Sequence, residues 1–295
     1  MWAGVTVLCW APLFSVAKRT LPYLDAFALA TTRYLFGVIV LMALLVAAEG
    51  WQALRFGGRF APAAAFGVAG IAGFNLFVWV GLTFTLPEHA AVILALQSPL
   101  TALAVWITRG QRPAPFTLGC VVAAICGVLV VVTKGNAIDV FQGGTLLGDA
   151  LVFFGAICWV MYGLASPHFS GWSPLRVTVL TCLTGLGGLI AANAAAVAAD
   201  WAAVPSLGAL ASVWWQILYF SLFSVALGVL AFNNSVRRLG PLNTMLMLNV
   251  TPVIVFGIEA ALGRSFAVIE LAGAALVIAA LVANNLYLRG ASTRR

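Results

Sequence analysis

The side chains in this sequence that could do chemistry are mostly polar without being charged, and they gather around two prolines. Gln97 and Ser98 stand directly before Pro99, and Asn249 and Thr251 stand before Pro252, each set deep in an apolar segment. Proline has no N–H and clashes with the carbonyl four residues back. Pro99 should therefore free the carbonyl of Ala95, and Pro252 that of Leu248. In hydrocarbon a freed carbonyl has to face protein or a wet cavity. Amides and hydroxyls beside such carbonyls can hydrogen-bond a neutral or zwitterionic molecule. The chemistry indicated is binding, with Pro99 and Pro252 as kinks or hinges.

Helical spacing extends each group. His89, Ile93 and Gln97 recur at four-residue steps, and Met245, Asn249, Pro252, Phe256 and Glu259 form a second stripe. Asn75 and Trp79 are four apart, and Ser224, Leu227, Ala231 and Asn234 fall on one α-helical face. Trp10 with Phe14, and Trp159 with Tyr162, add aromatic surface. An apolar lining with a few hydrogen-bonding groups is the usual make-up of a small-molecule site. Most of the ten tryptophans, Trp51, Trp172 and Trp201 among them, suit an interfacial belt or bundle packing instead, and Trp79 could serve either purpose.

Deep ionisable groups are scarce. Arg33 lies well inside its apolar segment and reads as a structural tie to carbonyls or to a carboxylate on another helix. Glu259 is the deep carboxylate, and with His89 it is the candidate for coupling transport to protons. Glu88, just after Pro87, suits the positive end of a helix dipole. There is no HExxH and no GxSxG, and the aspartates fall near segment ends rather than in pairs, so an intramembrane hydrolase is not expected. Cys9, Cys120, Cys126, Cys158 and Cys182 lie in apolar segments without CxxC or Cys/His spacing, and read as small apolar side chains. No metal or cofactor is expected.

These residues need elements that hold them in lipid. The 295-residue chain is 63% hydrophobic and 8% charged, with a mean hydropathy of +1.08. A soluble domain carries about a quarter charged residues, so the solvent here is a bilayer. A spanning helix takes about 20 apolar residues. Ten segments qualify, near 2–18, 24–48, 62–84, 87–108, 115–133, 145–166, 174–198, 209–233, 241–262 and 266–288. Their apolar runs are continuous rather than alternating, which excludes a β-barrel. Short connections leave no soluble module, so residues 1–295 read as a single membrane domain.

The net charge of +7 is dispersed over short loops and makes no nucleic-acid face. Alternate connections and the C-terminus hold ten Lys and Arg residues, against four (Lys18, Arg19, Lys134 and Arg264) in the remaining connections. The positive-inside rule then puts both termini in the cytoplasm, against the local pull of Lys18 and Arg19. A basic lead-in and a cleavage site are both lacking at the start, so a cleaved signal peptide is not expected.

The segments also repeat. One opens at Pro87, carries Pro99 and closes at Gly110; another opens at Pro241, carries Pro252 and closes at Gly263, with 11 residues from inner proline to closing glycine in both. WAPLF around Trp10 matches WVMYG around Trp159, and GCVVAAICGVLVVV matches GAALVIAALVANN. Residues 1–135 therefore read as one repeat of five helices and 145–288 as a second. Five crossings are odd in number, so the second copy enters from the opposite side. The expected fold is an all-α polytopic membrane protein of ten transmembrane helices, arranged as two inverted five-helix repeats.

WAPLF in the first segment, RYLF (Arg33 to Phe36) in the second, and a proline in the fourth and ninth resemble the drug/metabolite transporter superfamily in order and spacing. Within it the chain is similar, over essentially its whole length, to the EamA-type ten-helix bacterial exporters. The uncharged polar and aromatic lining looks most like the inner-membrane exporters of aromatic and other amino acids. The resemblance implies a central cavity lined by helices 1, 3, 4, 6, 8 and 9, with alternating access by movement of the two halves. The sequence departs from the pattern where many members carry Gly-Glu, because the pairs here are Gly110-Gln111 and Gly263-Arg264. Cys182 falls near the place of a second-half counterpart of Arg33.

The function expected is a secondary carrier exporting amino acids across a bacterial inner membrane. Trp10, Trp159 and Tyr162, with Trp79, would supply apolar contact, and Asn75, Gln97, Ser98, Asn249 and Thr251 would hydrogen-bond the amino and carboxyl groups. The alternatives are an exporter of drugs or cationic compounds leaning on Glu259, and a channel or non-transporting scaffold. The expected partners are a small-molecule substrate and the bilayer, with no nucleic acid; the sequence leaves the oligomeric state open, a monomer being compatible with it.

Overall fold

The computed structural model describes residues 1–110, 112–133 and 144–292, and among them every regular element is helical. The expected first span is split at Ala11–Pro12 into α1 (Trp2–Trp10) and α2 (Leu13–Thr20). The segment near 2–18 is helical on both sides of that break, which Pro12 makes by leaving α1 without its next N–H donor. α3 (Ala26–Glu49) starts at Asp25, whose carboxylate accepts from the N–H groups of Phe27 and Ala28, both at 2.9 Å. That acceptance satisfies two of the donors a helix start leaves open. Next come α4 (Phe60–Phe66), a π-helical stretch at Gly67–Gly73 and α5 (Phe74–Phe84). α6 (Pro87–Ala95) and α7 (Gln97–Arg109) share one axis region, and α8 (Pro115–Thr133) follows.

Beyond the undescribed 134–143, α9 (Leu146–Gly163) and α10 (Pro174–Ala198) are long and apolar. α11 (Leu207–Ser212) and α12 (Trp214–Tyr219) lead into a second π-helical stretch, Phe220–Val229, and then α13 (Leu230–Leu239). This rod runs on past the expected end at 233 and carries Arg237 and Arg238 in its last turn. α14 (Pro241–Leu248), α15 (Thr251–Ala261) and α16 (Val268–Ser292) complete the chain. Among the described residues, eight helical stretches are long and apolar enough to cross a bilayer, and Val268–Asn284 is a shorter apolar one.

The two proline segments break where proline chemistry requires. α6 ends and α7 begins around Leu96, while α14 and α15 part at Asn249–Val250. Each break precedes its proline by about one turn, because the lost N–H and the ring clash act on the carbonyl four residues back. Leu96 and Asn249 are 249 − 96 = 153 residues apart, as are Pro99 and Pro252. Gly110 (φ +67°) and Gly263 (φ +89°) close the two segments in the left-handed region, which side chains with a Cβ rarely adopt.

The π-helical stretches carry no expectation from the sequence, and they correct one. They begin at Gly67 and Phe220, again 220 − 67 = 153 residues apart. The wider turn shifts side-chain register. Ser224 and Ala231 are fully buried, but Leu227 is 37% exposed, so these residues do not share the face that α-helical spacing implied.

Small residues let the helices close on one another, as is usual in membranes. α8 and α16 cross at Gly127 and Gly273. A Cβ on Gly127 would come 2.8 Å from the carbonyl oxygen of Gly273, and one on Gly273 would come 2.9 Å from that of Gly127. Gly127→Ala is therefore expected to cost about 1–3 kcal/mol by overpacking. A melting curve in detergent reads this as a lower transition temperature; an unchanged one would mean the two helices separate freely.

Candidate functional site

A small central cavity, with about 50 Å³ of water-accessible space, lies where the two broken helices meet. α6–α7 contributes Ala95 and Gln97 to its wall, and α14–α15 contributes Leu248 and Thr251. Trp10 from α1 and Trp159 from α9 face each other edge to face, 5.1 Å between ring centres. Trp159 also lies 4.9 Å from Phe74 and 5.0 Å from both Tyr162 and Phe232. Trp10 is held by donating its Nε1–H to the carbonyl of Ser224 in the second π-helical stretch, at 2.9 Å. Gly228 makes the approach possible, since a Cβ there would lie 2.3 Å from Trp10 Nε1. The Nε1 of Trp159 has no hydrogen-bond partner.

The other residues expected at the site take different places. Asn75 and Trp79 are wholly buried one layer behind the cavity. Trp79 donates to Asn75 Oδ1 at 2.8 Å, and Asn75 donates to the Ile71 carbonyl in the first π-helical stretch at 2.7 Å. Ser98 donates to Asn249 Oδ1 at 2.9 Å, which ties one helix break directly to the other. The Tyr162 hydroxyl accepts from Asn233 Nδ2 at 2.8 Å and lies 3.0 Å from Thr181 Oγ1. It also borders a second cavity of about 210 Å³, together with Asn233 and Arg237 near the ends of α9 and α13. Thus Trp10, Gln97, Trp159 and Thr251 share the central wall, while Asn75, Trp79 and Tyr162 back it.

His89 and Glu259 lie away from that wall, at the end of the bundle where α6 begins and α15 stops. Every residue of α6 is buried there. Glu88, wholly buried, pairs with Arg264, which also reaches Glu270 at 3.7 Å and packs over the Phe266 ring. Glu259 lies within electrostatic reach of Glu88. His89 Nδ1 is 3.5 Å from both Asp149 Oδ1 and Thr85 Oγ1, and the Thr85 hydroxyl donates to Asp149. Lys18 Nζ donates to the carbonyls of Leu82 and Thr85, each at 2.6 Å, where α5 leaves them open. Buried carboxylates, covered by the partly exposed cations Arg264 and Lys18, therefore close this end.

Sequence reasoning missed two groups. Arg33 lines the central cavity, and instead of the expected carbonyl or carboxylate its partners are the Ser224 hydroxyl at 2.8 Å and three aromatic rings. The signal was its place as the lone charge inside an apolar segment. Arg264 is the partner of Glu88, 176 residues on, and nothing local in the sequence links them.

Comparison with known proteins places this geometry. The EamA-like transporter family matches residues 1–133 and 146–286. Two proteins of Bacillus subtilis (strain 168), each described as an uncharacterized transporter, are similar over most of their length. YyaM is 30% identical over 268 residues, covering 90% of this chain and 86% of its own. YrdR is 27% identical over 289 residues, covering 97% and 90%. A solved crystal structure superposes with a TM-score of 0.71 over 97% of this chain and 96% of that one, at 19% identity, which is a likeness of fold.

Proposed function

The chain belongs to the EamA-like transporter family, and from that premise we propose that it is a secondary carrier exporting amino acids, aromatic and other neutral ones. The observation that carries the reading is the central cavity. Its open space is about 50 Å³ in this conformation, so it would widen to admit a cargo, but its lining, apolar and aromatic with a few polar groups, is that of a small-molecule site. Trp10, Phe14, Phe74 and Trp159 offer ring surface to an apolar side chain, and Gln97 and Thr251 offer hydrogen bonds at the two helix breaks. Residues 1–135 and 145–288 would be inverted halves of a ten-helix bundle. The common 153-residue spacing of prolines, breaks and π-helical stretches supports that reading.

In the proposed orientation, within a bacterial inner membrane and with both termini cytoplasmic, the charge-closed end faces outward. The cavity bordered by Tyr162, Asn233 and Arg237 then opens toward the cytoplasm, a shape suited to loading from inside. Lys18 argued against this orientation by charge count, but its ammonium serves the carbonyls of α5. A cation exporter built on Glu259 has less support, since Glu259 is not part of the cavity wall.

Purified protein in proteoliposomes tests the reading. A carrier gives saturable uptake, counterflow and competition among neutral amino acids; flux without saturation would favour a channel. Gln97→Ala and Asn249→Ala each remove a hydrogen-bonding group worth about 0.5–1.5 kcal/mol. Each is expected to raise KM several-fold or to reorder substrate preference. If neither does, the broken helices are not the binding site.

A further inference from the structure

We propose that Arg33 is the anchor for an anionic head group, so that a carboxylate on the cargo is obligatory. This rests on the carrier reading above and adds the chemical class of what is carried. The Arg33 side chain is 3% exposed and lies on the wall of the central cavity. Its Nη2 donates to Ser224 Oγ at 2.8 Å, but Nε and Nη1 have no hydrogen-bond partner. No carboxylate pairs with it among the described residues; the buried acids Glu88, Asp149, Glu259 and Glu270 belong to the closed end.

A charge at this depth is costly unless something stabilises it. Three rings do so in part, with the guanidinium carbon 5.0 Å from the Trp79 ring centre, 5.4 Å from Tyr34 and 5.5 Å from Phe220. Ring faces stabilise the charge but are poor acceptors for the N–H groups at the guanidinium edge. Those donors, planar and always protonated, match a carboxylate. The rings and Ser224 hold the guanidinium still, and among the described residues no group of the cavity wall, Gln97 and Thr251 included, accepts from Nε or Nη1, which are buried until the cavity widens. A purely cationic cargo would meet this charge and be repelled. An amino acid would set its carboxylate on Arg33 and its side chain against Trp10 and Trp159.

The test is competition against phenylalanine uptake in proteoliposomes, using compounds with the same ring: phenylalanine amide, phenethylamine and 3-phenylpropionate. The amide and the amine are expected to compete at least tenfold more weakly than phenylalanine, and 3-phenylpropionate within tenfold of it. Arg33→Gln should raise the KM for phenylalanine at least tenfold while leaving inhibition by the amide unchanged, and Arg33→Lys should fall between. Equal competition by the amide and the amine in the unaltered protein overturns the proposal, whether or not the variants fold. If phenylalanine is not transported, the amino-acid reading fails, and thermal shift of the purified protein decides the anchor. Stabilisation by 3-phenylpropionate and not by phenethylamine supports it; stabilisation by the amine or by neither overturns it.

Discussion

Arg264→Gln should open the closed end of the bundle by two orders of magnitude or more. Glu88 is 0% exposed, and Arg264 is the cation paired with it. Glu270 and Glu259 lie beside them, so the Arg264 guanidinium, with the Lys18 ammonium within electrostatic reach of Glu88, offsets a cluster of carboxylates. Removing one partner of a buried ion pair costs upward of about 3 kcal/mol, and the low end applies here because Arg264 is itself a quarter exposed while Glu88 stays buried without compensation. If opening lets Glu88 reach water, that cost falls on the closed form alone and shifts the equilibrium by about a hundredfold or more. The measurement is the labelling rate of a cysteine placed at Ala90, which is wholly buried in α6, after the five native cysteines have been replaced. A membrane-impermeant thiol reagent should react at least a hundred times faster in the variant. Adding Glu88→Gln should reverse most of the change, since a pair removed together leaves no orphaned charge. An unchanged labelling rate would show that the ion pair does not hold the end shut.

Trp159→Ala should nearly abolish transport and also weaken the fold. Trp159 is 2% exposed and touches Trp10, Phe74, Tyr162 and Phe232, each with ring centres about 5 Å away. Truncating a buried aromatic of this size costs about 3–5 kcal/mol. Part of that cost is lost packing and would appear in a melting curve. The rest concerns the cargo, because Trp159 is also cavity wall and its Nε1–H is unpaired. Trp159→Phe separates the two roles. It keeps a ring in the cluster, so the transition temperature should hold, while loss of the N–H should raise KM roughly fivefold, from about 1 kcal/mol per hydrogen bond. If Trp159→Phe leaves KM untouched, the residue is packing rather than a contact to substrate.

The sequence made the frame legible because lipid is an exacting solvent. A span must be long, apolar and helical, so its limits are visible in composition alone; α8 and α10 fall on the expected residues 115–133 and 174–198. Pro99 and Pro252 announced their breaks for an equally local reason, the missing N–H. The π-helical stretches have no such marker. Gly67–Gly73 is rich in glycine and Phe220–Val229 is not, so no shared residue type signals the wider turn. The Glu88–Arg264 pair was hidden by its separation along the chain. Arg33 was visible as an oddity, but its surroundings came from α3, α5 and the stretch after α12, which only three-dimensional packing brings together.

The Ser98–Asn249 hydrogen bond joins the two broken helices at the level of the cavity. Suppose the two halves rock against each other like the beams of a balance. The pivot is then the point that travels least, and a short bond can survive only there, because ångström-scale sliding would pull it apart. A cargo seated beside the pivot stays in register with its contacts while the arms swing through the full stroke at either membrane face. The carrier would then have to exchange which mouth is open, and would not have to carry its load any distance.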